Sequence, residues 1–162
     1  ADQAVEAARA SGSLDATLRA LDARLFALLS RGDLSQGVAA GMQLIEAAES
    51  AGDMVLATRG RCNTGSVLNH VGMFEEAMAM LERALADARA RRMRILEAYS
   101  LHNVGMSYAR LGNLDDGIVN QRQAARIADE GRGASAGAGT LAAARVVVAA
   151  TGISSTGAGA SS

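Results

Sequence analysis

The sequence predicts an all-α protein in which antiparallel helix pairs stack side by side into a solenoid. Three observations lead to this prediction. The 162-residue chain contains no proline and is rich in alanine, leucine, arginine and glutamate, which all favour helix. Apolar residues recur every three or four positions, which is the period of an α-helix. Glycines recur every forty residues, at Gly32, Gly72, Gly112 and Gly152.

The forty-residue repeat includes more than these glycines. Small residues follow three of the glycines by five positions, namely Gly37, Ala77 and Gly117. Further glycines precede two of them by seven positions, namely Gly65 and Gly105. Because several offsets match at one period, we expect a helical repeat array over residues 1–132. The expected units of this array are 14–52, 53–92 and 93–132.

A second set of breaks divides each unit into two helices. The breaks lie about twenty residues after the first set, at Ser11-Gly12-Ser13, Gly52-Asp53, Arg91-Arg92 and Gly131-Arg132-Gly133. The segments between breaks carry the helical period. Helices are therefore predicted at 2–10, 14–30, 33–50, 54–70, 73–90, 94–110 and 113–130. The small residues of the repeat are expected to let neighbouring helix backbones approach closely.

Local signals mark where these helices begin and end. Asp33 is followed by Gln36 three residues later, and Asn113 is followed by Asp116. Each pair can satisfy amide groups of the first helical turn, which have no partner within the helix. The repeat glycines are expected to end the preceding helix in the left-handed conformation that favours glycine.

The C-terminal region departs from the repeat. We expect a Gly/Ala/Ser-rich connection at 133–140, a short apolar helix at 141–153 and a flexible Gly/Ser tail at 154–162. The apolar segment is too short for a membrane span, which needs about 20 residues, and too short for a stable isolated helix. It must therefore bury itself against its own array or against a neighbouring copy. The residues expected to mediate self-association are Leu141, Val146, Val147, Val148 and Ile153.

The composition excludes several classes of function. Arginine supplies all 16 positive charges, and 17 acidic residues give a net charge of 16 − 17 = −1. Without lysine there is no phosphate-binding Walker lysine and no Schiff base. The balanced charge argues against a general affinity for nucleic acid, and the single Cys62 excludes an intrachain disulfide. No cluster of acid, base and nucleophile emerges, so we expect no enzyme activity, no metal and no cofactor.

These features resemble the tetratricopeptide repeat (TPR) family, over residues 14–131. The third unit shows the family pattern at Val104-Gly105, Tyr108, Gly112, Leu114, Gly117 and Ala124. The second unit shows it at Thr64-Gly65, Leu68, Gly72, Phe74, Ala77 and Ala84. A forty-residue period is similar to the long-helix branch found in kinesin light chains and in the spindle-orientation adaptor with Leu-Gly-Asn repeats. The resemblance implies a right-handed superhelix whose concave groove is lined by the first helix of each pair.

Among the positions that correspond to the family's groove, we expect nine residues to bind a partner. Those in the second unit are Arg59, Asn63, Ser66 and His70; those in the third are Tyr99, His102, Asn103, Met106 and Arg110. Spacings of three and four place each set on one helical face. The two asparagines are the sharpest signal, because an amide offers a donor and an acceptor to a peptide backbone. The alternative is that they bond a neighbouring helix or face water.

The resemblance implies a non-catalytic module that binds a peptide segment or a protein partner. One alternative is a self-assembling scaffold, an oligomer or filament joined through the array ends. Another is a sensor arm of a larger bacterial regulator or signalling ATPase. We expect neither nucleic acid nor membrane as a partner. A cytoplasmic location is favoured, with a secreted processed form as the alternative, because the chain begins at Ala1 rather than Met.

Overall fold

The computed structural model describes residues 2–134, with side chains described to residue 131. Within this range the chain is entirely helical and contains no strand. The seven helices are α1 (Asp2–Ala10), α2 (Leu14–Ser30), α3 (Leu34–Ser50), α4 (Met54–Val71), α5 (Phe74–Ala90), α6 (Arg94–Arg110) and α7 (Leu114–Ala134). The all-α prediction is confirmed for these residues, and six of the seven predicted helices match within one residue at each end. The predicted bounds of α1, α2 and α6 are reproduced.

A single type of turn joins the helices and recurs every twenty residues. One residue in each turn has a positive φ angle: Gly12, Gly32, Gly52, Gly72, Arg92 and Gly112. In the last five turns, the next amide donates to the carbonyl five residues before it, as Asp33 does to Leu28 at 3.0 Å. This bond satisfies a helix-end carbonyl and reverses the chain in about three residues. Arg92 is the one non-glycine residue in this series, and its φ is 55°.

Most helices begin with a side-chain cap. The Oδ1 atom of Asp33 accepts the Gln36 amide at 3.2 Å, and Asn113 accepts the Asp116 amide at 3.3 Å. Both predicted pairs are therefore confirmed. Met73 and Met93 stand at the equivalent positions before α5 and α6 and make no side-chain cap.

The core runs along the array as a strip. Each helix packs against the next one in the sequence, and α4 also packs against α6. One buried apolar cluster joins α1 to α4, the next joins α4, α5 and α6, and the third includes Leu101 of α6 with Ala124 and Ile127 of α7. The buried clusters thus lie between helices that follow one another in the chain.

Small residues allow the closest helix contacts, as the sequence predicts. A Cβ atom on Gly105 would lie 2.9 Å from the carbonyl oxygen of Gly117, and a Cβ on Gly117 would lie 3.0 Å from the carbonyl oxygen of Gly105. Because real Cβ atoms rarely approach backbone oxygen so closely, α6 and α7 can cross here only with glycine at both positions. Gly65 similarly makes room for the side chain of Leu81.

The predicted break at Gly131-Arg132-Gly133 is wrong, because α7 continues to Ala134. A glycine inside a helix keeps its amide donor and costs only about 1 kcal/mol relative to alanine. The predicted Gly/Ala/Ser-rich connection at 133–140 is wrong for its first two residues, which belong to α7. Its remainder, the predicted helix at 141–153 with its five self-association residues, and the Gly/Ser tail lie outside the described residues. Among residues 2–134, no helix is long and apolar enough to cross a membrane.

Candidate binding surfaces

The nine predicted partner-binding residues lie on α4 and α6, which pack against each other. Their exposure differs widely. His70 and Arg110 are exposed, and four others are half-buried: Arg59, Tyr99, His102 and Met106. The remaining three, Asn63, Ser66 and Asn103, are buried. The two helices therefore bring the nine residues together, but only part of the set faces solvent.

Buried polar groups form a seam between α4 and α6, and Asn103 is the one of the three buried predicted residues that takes part in its hydrogen bonds. The Asn69 amide nitrogen donates to the Asn103 carbonyl oxygen at 3.0 Å, and the Ser107 hydroxyl donates to Asn69 Oδ1 at 2.8 Å. Cys62 Sγ lies 3.1 Å from Ser100 Oγ in the same seam. Hydrogen bonds between buried polar groups fix the mutual position of the two helices. Four of these residues, Cys62, Asn69, Ser100 and Ser107, are not among the nine predicted ones.

The two asparagines do not form an exposed ladder. Asn103 is only 1% exposed, and its amide nitrogen donates to the Tyr99 carbonyl oxygen of its own helix at 3.0 Å. Asn63 is 8% exposed. Within the described residues, Asn103 Oδ1 and Ser66 Oγ are buried without a hydrogen-bond partner. Ordered water usually satisfies such atoms. We therefore leave Asn103 and Ser66 out of the surface proposed to contact a partner.

The two histidines are held by hydrogen bonds. His102 Nδ1 donates to Gln121 Oε1 at 2.8 Å, and Gln121 Nε2 donates to the His102 carbonyl at 2.8 Å. This reciprocal pair joins α6 to α7. His70 Nδ1 donates to the Ser66 carbonyl at 2.7 Å, while its ring stays exposed at the end of α4. His70 therefore remains accessible, whereas His102 is engaged in holding two helices together.

Arg59 lies between α2 and α4 and is already paired. Its guanidinium lies 2.6 Å from Asp22 Oδ2, and both residues line a depression of about 280 Å³. Three carboxylates and two guanidiniums line this depression (Asp15, Asp22, Asp53, Arg19 and Arg59). Because the arginine is neutralised by Asp22, an acidic partner must compete with that pair.

On α6, burial raises the pKa of the Tyr99 phenol, so its hydroxyl stays protonated at neutral pH.

A larger groove, which no sequence pattern predicted, lies between α3 and α5. Its volume is about 670 Å³. Both helices contribute residues at spacings of three and four, and α4 contributes Arg61 to the floor. The lining residues are Met42, Gln43, Ile45, Glu46 and Glu49 of α3, Arg61 of α4, and Glu76, Ala79, Met80 and Arg83 of α5.

The floor of this groove carries a buried charge. Arg61 is 2% exposed; its Nη1 lies 2.9 Å from Asp87 Oδ2, and its Nη2 pairs with Glu49. Desolvation lowers the pKa of the Arg61 guanidinium. Positions forty residues before and after Arg61 hold Leu21 and Leu101, both 1% exposed. Leucine occupies this repeat position in the other two units, so an arginine at position 61 is a signal that the sequence itself contains.

Among the described residues, no group of His, Cys, Asp and Glu side chains could hold a metal ion. No protein-family model matches the chain, and no curated protein sequence matches it significantly. The resemblance to tetratricopeptide repeats therefore stays a prediction drawn from the residue pattern.

Proposed function

We propose that this chain is a non-catalytic interaction module, a tetratricopeptide-like right-handed solenoid that binds a peptide segment or a protein partner. The observation that carries the proposal is the relation between α4 and α6. The two helices are equivalent at a spacing of forty residues and pack directly against each other. Contacts of this kind between successive first helices are how solenoids form extended binding faces.

The contact surface consists of the accessible members of the predicted set. Tyr99 and Met106 offer half-buried apolar area on α6, and His70 and Arg110 offer polar groups at the helix ends. Hydrogen bonds of the α4–α6 seam fix the helices that carry these side chains. A partner therefore meets a surface that needs little ordering on binding, which reduces the entropic cost. Partner selection by a few side chains on a rigid helical face follows a known mode of peptide recognition.

The test is selection of peptides from a random displayed library on the immobilised full chain. We expect the selected peptides to lose at least about tenfold in affinity when His70→Ala and Arg110→Glu are combined. Both residues are exposed, so the variant should fold. Arg31→Glu is the matched control, because it makes the same charge change at an exposed turn residue. Equal affinity for the double variant and the parent would contradict the proposal.

The second candidate function is self-assembly through the array end, and α7 favours it. Leu114 and Ile118 are 62% and 49% exposed. Their equivalents forty residues earlier, Phe74 and Met78, are half-buried, and Met78 packs against the cluster that includes Val104 of α6. The same face of α7 is uncovered within the described residues. Exposed apolar faces of this kind promote association between copies.

Sedimentation velocity tests this candidate. We expect oligomers of the full chain at micromolar concentration and their loss in Ile118→Asp. A monomer at every concentration would exclude assembly through this face and leave the interaction-module proposal untouched.

A further inference from the structure

We propose that the groove between α3 and α5 is a second binding surface, and that its occupant is about two turns of an amphipathic helix with arginine or lysine beside its apolar stripe. This surface is separate from the one proposed above. Arg61 in its floor lies two residues from both Arg59 and Asn63, which is about 200° around α4.

The shape of the groove suits a short helix. Its two walls present equivalent faces, residues 42, 45, 46 and 49 of α3 and residues 76, 79, 80 and 83 of α5. Each wall spans eight residues, whose first and last members lie roughly 10 Å apart along the helix axis. An ion pair between Glu49 and Arg83, at 3.1 Å, joins the walls at one end of the groove. At the other end, beside Met42 and Glu76, no ion pair among the described residues joins the walls.

The apolar lining suits side chains that enter from a partner helix. Met42 is 50% exposed, Ala79 is exposed and Met80 is half-buried. Methionine is unbranched and polarisable, so it adapts to differently shaped apolar groups, and such surfaces commonly bind amphipathic helices. Met42 keeps half of its surface exposed at the edge of the groove unless a partner covers it.

The charges that line the groove favour a partner with cationic side chains. The lining carries three carboxylates and two guanidiniums, a net charge of 2 − 3 = −1. Both guanidiniums are engaged with Glu49, and Arg61 also binds Asp87. Glu46 and Glu76 are exposed on opposite walls and have no ion-pair partner among the described residues. A cationic side chain can therefore pair at either wall, whereas an anionic one meets only neutralised arginines.

The floor is consistent with a binding role. Leu21 and Leu101 occupy the positions equivalent to Arg61 in the other units and are fully buried. A buried ion pair contributes little net stability compared with apolar residues of similar size. The charged floor therefore adds little as a packing element, whereas it anchors the carboxylate of Glu49 at the groove.

The experiment uses the full chain and two fluorescein-labelled synthetic peptides of about sixteen residues. One carries leucines at i, i+3, i+4 and i+7 with arginines on both flanks; its twin has glutamate in place of every arginine. Fluorescence anisotropy at low salt should show binding of the arginine peptide only. Glu46→Arg combined with Glu76→Arg should weaken that binding by roughly tenfold and improve binding of the glutamate twin.

A matched double variant distinguishes binding in the groove from a general effect of the protein's net charge. Glu75→Arg with Glu82→Arg changes the charge by the same amount on exposed residues of α5 that do not line the groove. This variant should bind the arginine peptide within about twofold of the parent. An equal loss in both double variants, or no binding by the parent at about 100 µM, would overturn the proposal.

Methyl NMR of the seven methionines locates the peptide. We expect the methyl resonances of Met42 and Met80 to shift on addition of the arginine peptide, while that of Met106 on α6 stays unchanged. Shifts at Met106 alone would place the peptide on the α4–α6 surface. That result would overturn this inference and support the proposed function instead.

Discussion

Replacing the Arg61–Asp87 pair with apolar residues tests whether the repeat units are structurally equivalent. Arg61 corresponds to Leu101, and Asp87 corresponds to Ile127, at a spacing of forty residues. Leu101 and Ile127 pack together in one buried cluster. If the units are equivalent, a protein with Arg61→Leu and Asp87→Ile should form the same apolar contact in the second unit.

The magnitude follows from the burial of the three charged groups. The Arg61 side chain is 3% exposed, whereas Asp87 is 22% and Glu49 is 35% exposed. Removing one member of a buried pair costs about 3–5 kcal/mol. Here Glu49 keeps Arg83, and Asp87 keeps Arg91 at 3.8 Å. We therefore expect Arg61→Ala to lower the free energy of unfolding by about 2–3 kcal/mol. The double variant should be neutral or more stable by up to about 4 kcal/mol.

Urea unfolding followed by circular dichroism at 222 nm measures both variants against the parent. The predicted order of stability is double variant, parent, Arg61→Ala, with a gap of at least about 2 kcal/mol between the two variants. A double variant as unstable as Arg61→Ala would refute the reasoning. Position 61 would then not be structurally equivalent to the buried positions of Leu21 and Leu101.

Three further predictions concern single residues. Arg92→Gly should raise the free energy of unfolding by about 0.5–1 kcal/mol in urea titrations, because Arg92 has a positive φ that glycine adopts without strain; lower stability than the parent would contradict this. Gly105→Ala should cost about 1–3 kcal/mol through the clash with the Gly117 carbonyl, whereas Gly131→Ala, which meets nothing within 4 Å, should be neutral or stabilising in thermal unfolding. Burial raises the pKa of the Cys62 thiol to about 11, from 9.0 ordinarily. The protonated thiol should therefore contribute fully to stability below pH 9, and the free energy of unfolding should fall by roughly 3 kcal/mol as the pH rises through 11. Cys62→Ser should lack this fall, and equal losses in both proteins would rule out the thiol as the cause.

Most of the helical architecture could be predicted from short stretches of sequence. A glycine in a left-handed turn is recognised from a few neighbouring residues, which is why the C-terminal ends of α2 and α6, just before the turns of Gly32 and Gly112, match the prediction. The end of α7 was mispredicted, because a glycine cluster can end a helix or be absorbed into it at about 1 kcal/mol per residue. Nothing nearby in the sequence decides between these outcomes.

The candidate site was only partly predictable. The helical period places Asn63 and Asn103 on the expected face, but their burial depends on the distance between α4 and α6. That distance is set by tertiary contacts such as the bond from Asn69 to the Asn103 carbonyl. The α3–α5 groove likewise arises between residues about 34 positions apart, which no local pattern connects. Only Arg61 carried a sequence signal, because it replaces a leucine at a repeat position.

The central claim is that this chain is a translational array of forty-residue units. Deleting residues 53–92, which joins Gly52 to Met93, tests it most directly, because it removes one whole period and leaves equivalent helix faces in contact. The account predicts a shorter protein with the parent's ellipticity per residue at 222 nm and cooperative, though weaker, thermal unfolding. Deletion of 53–82, which cuts through α5 and breaks the period, should abolish cooperative unfolding. A disordered chain after the forty-residue deletion, with no difference between the two proteins, would contradict the account.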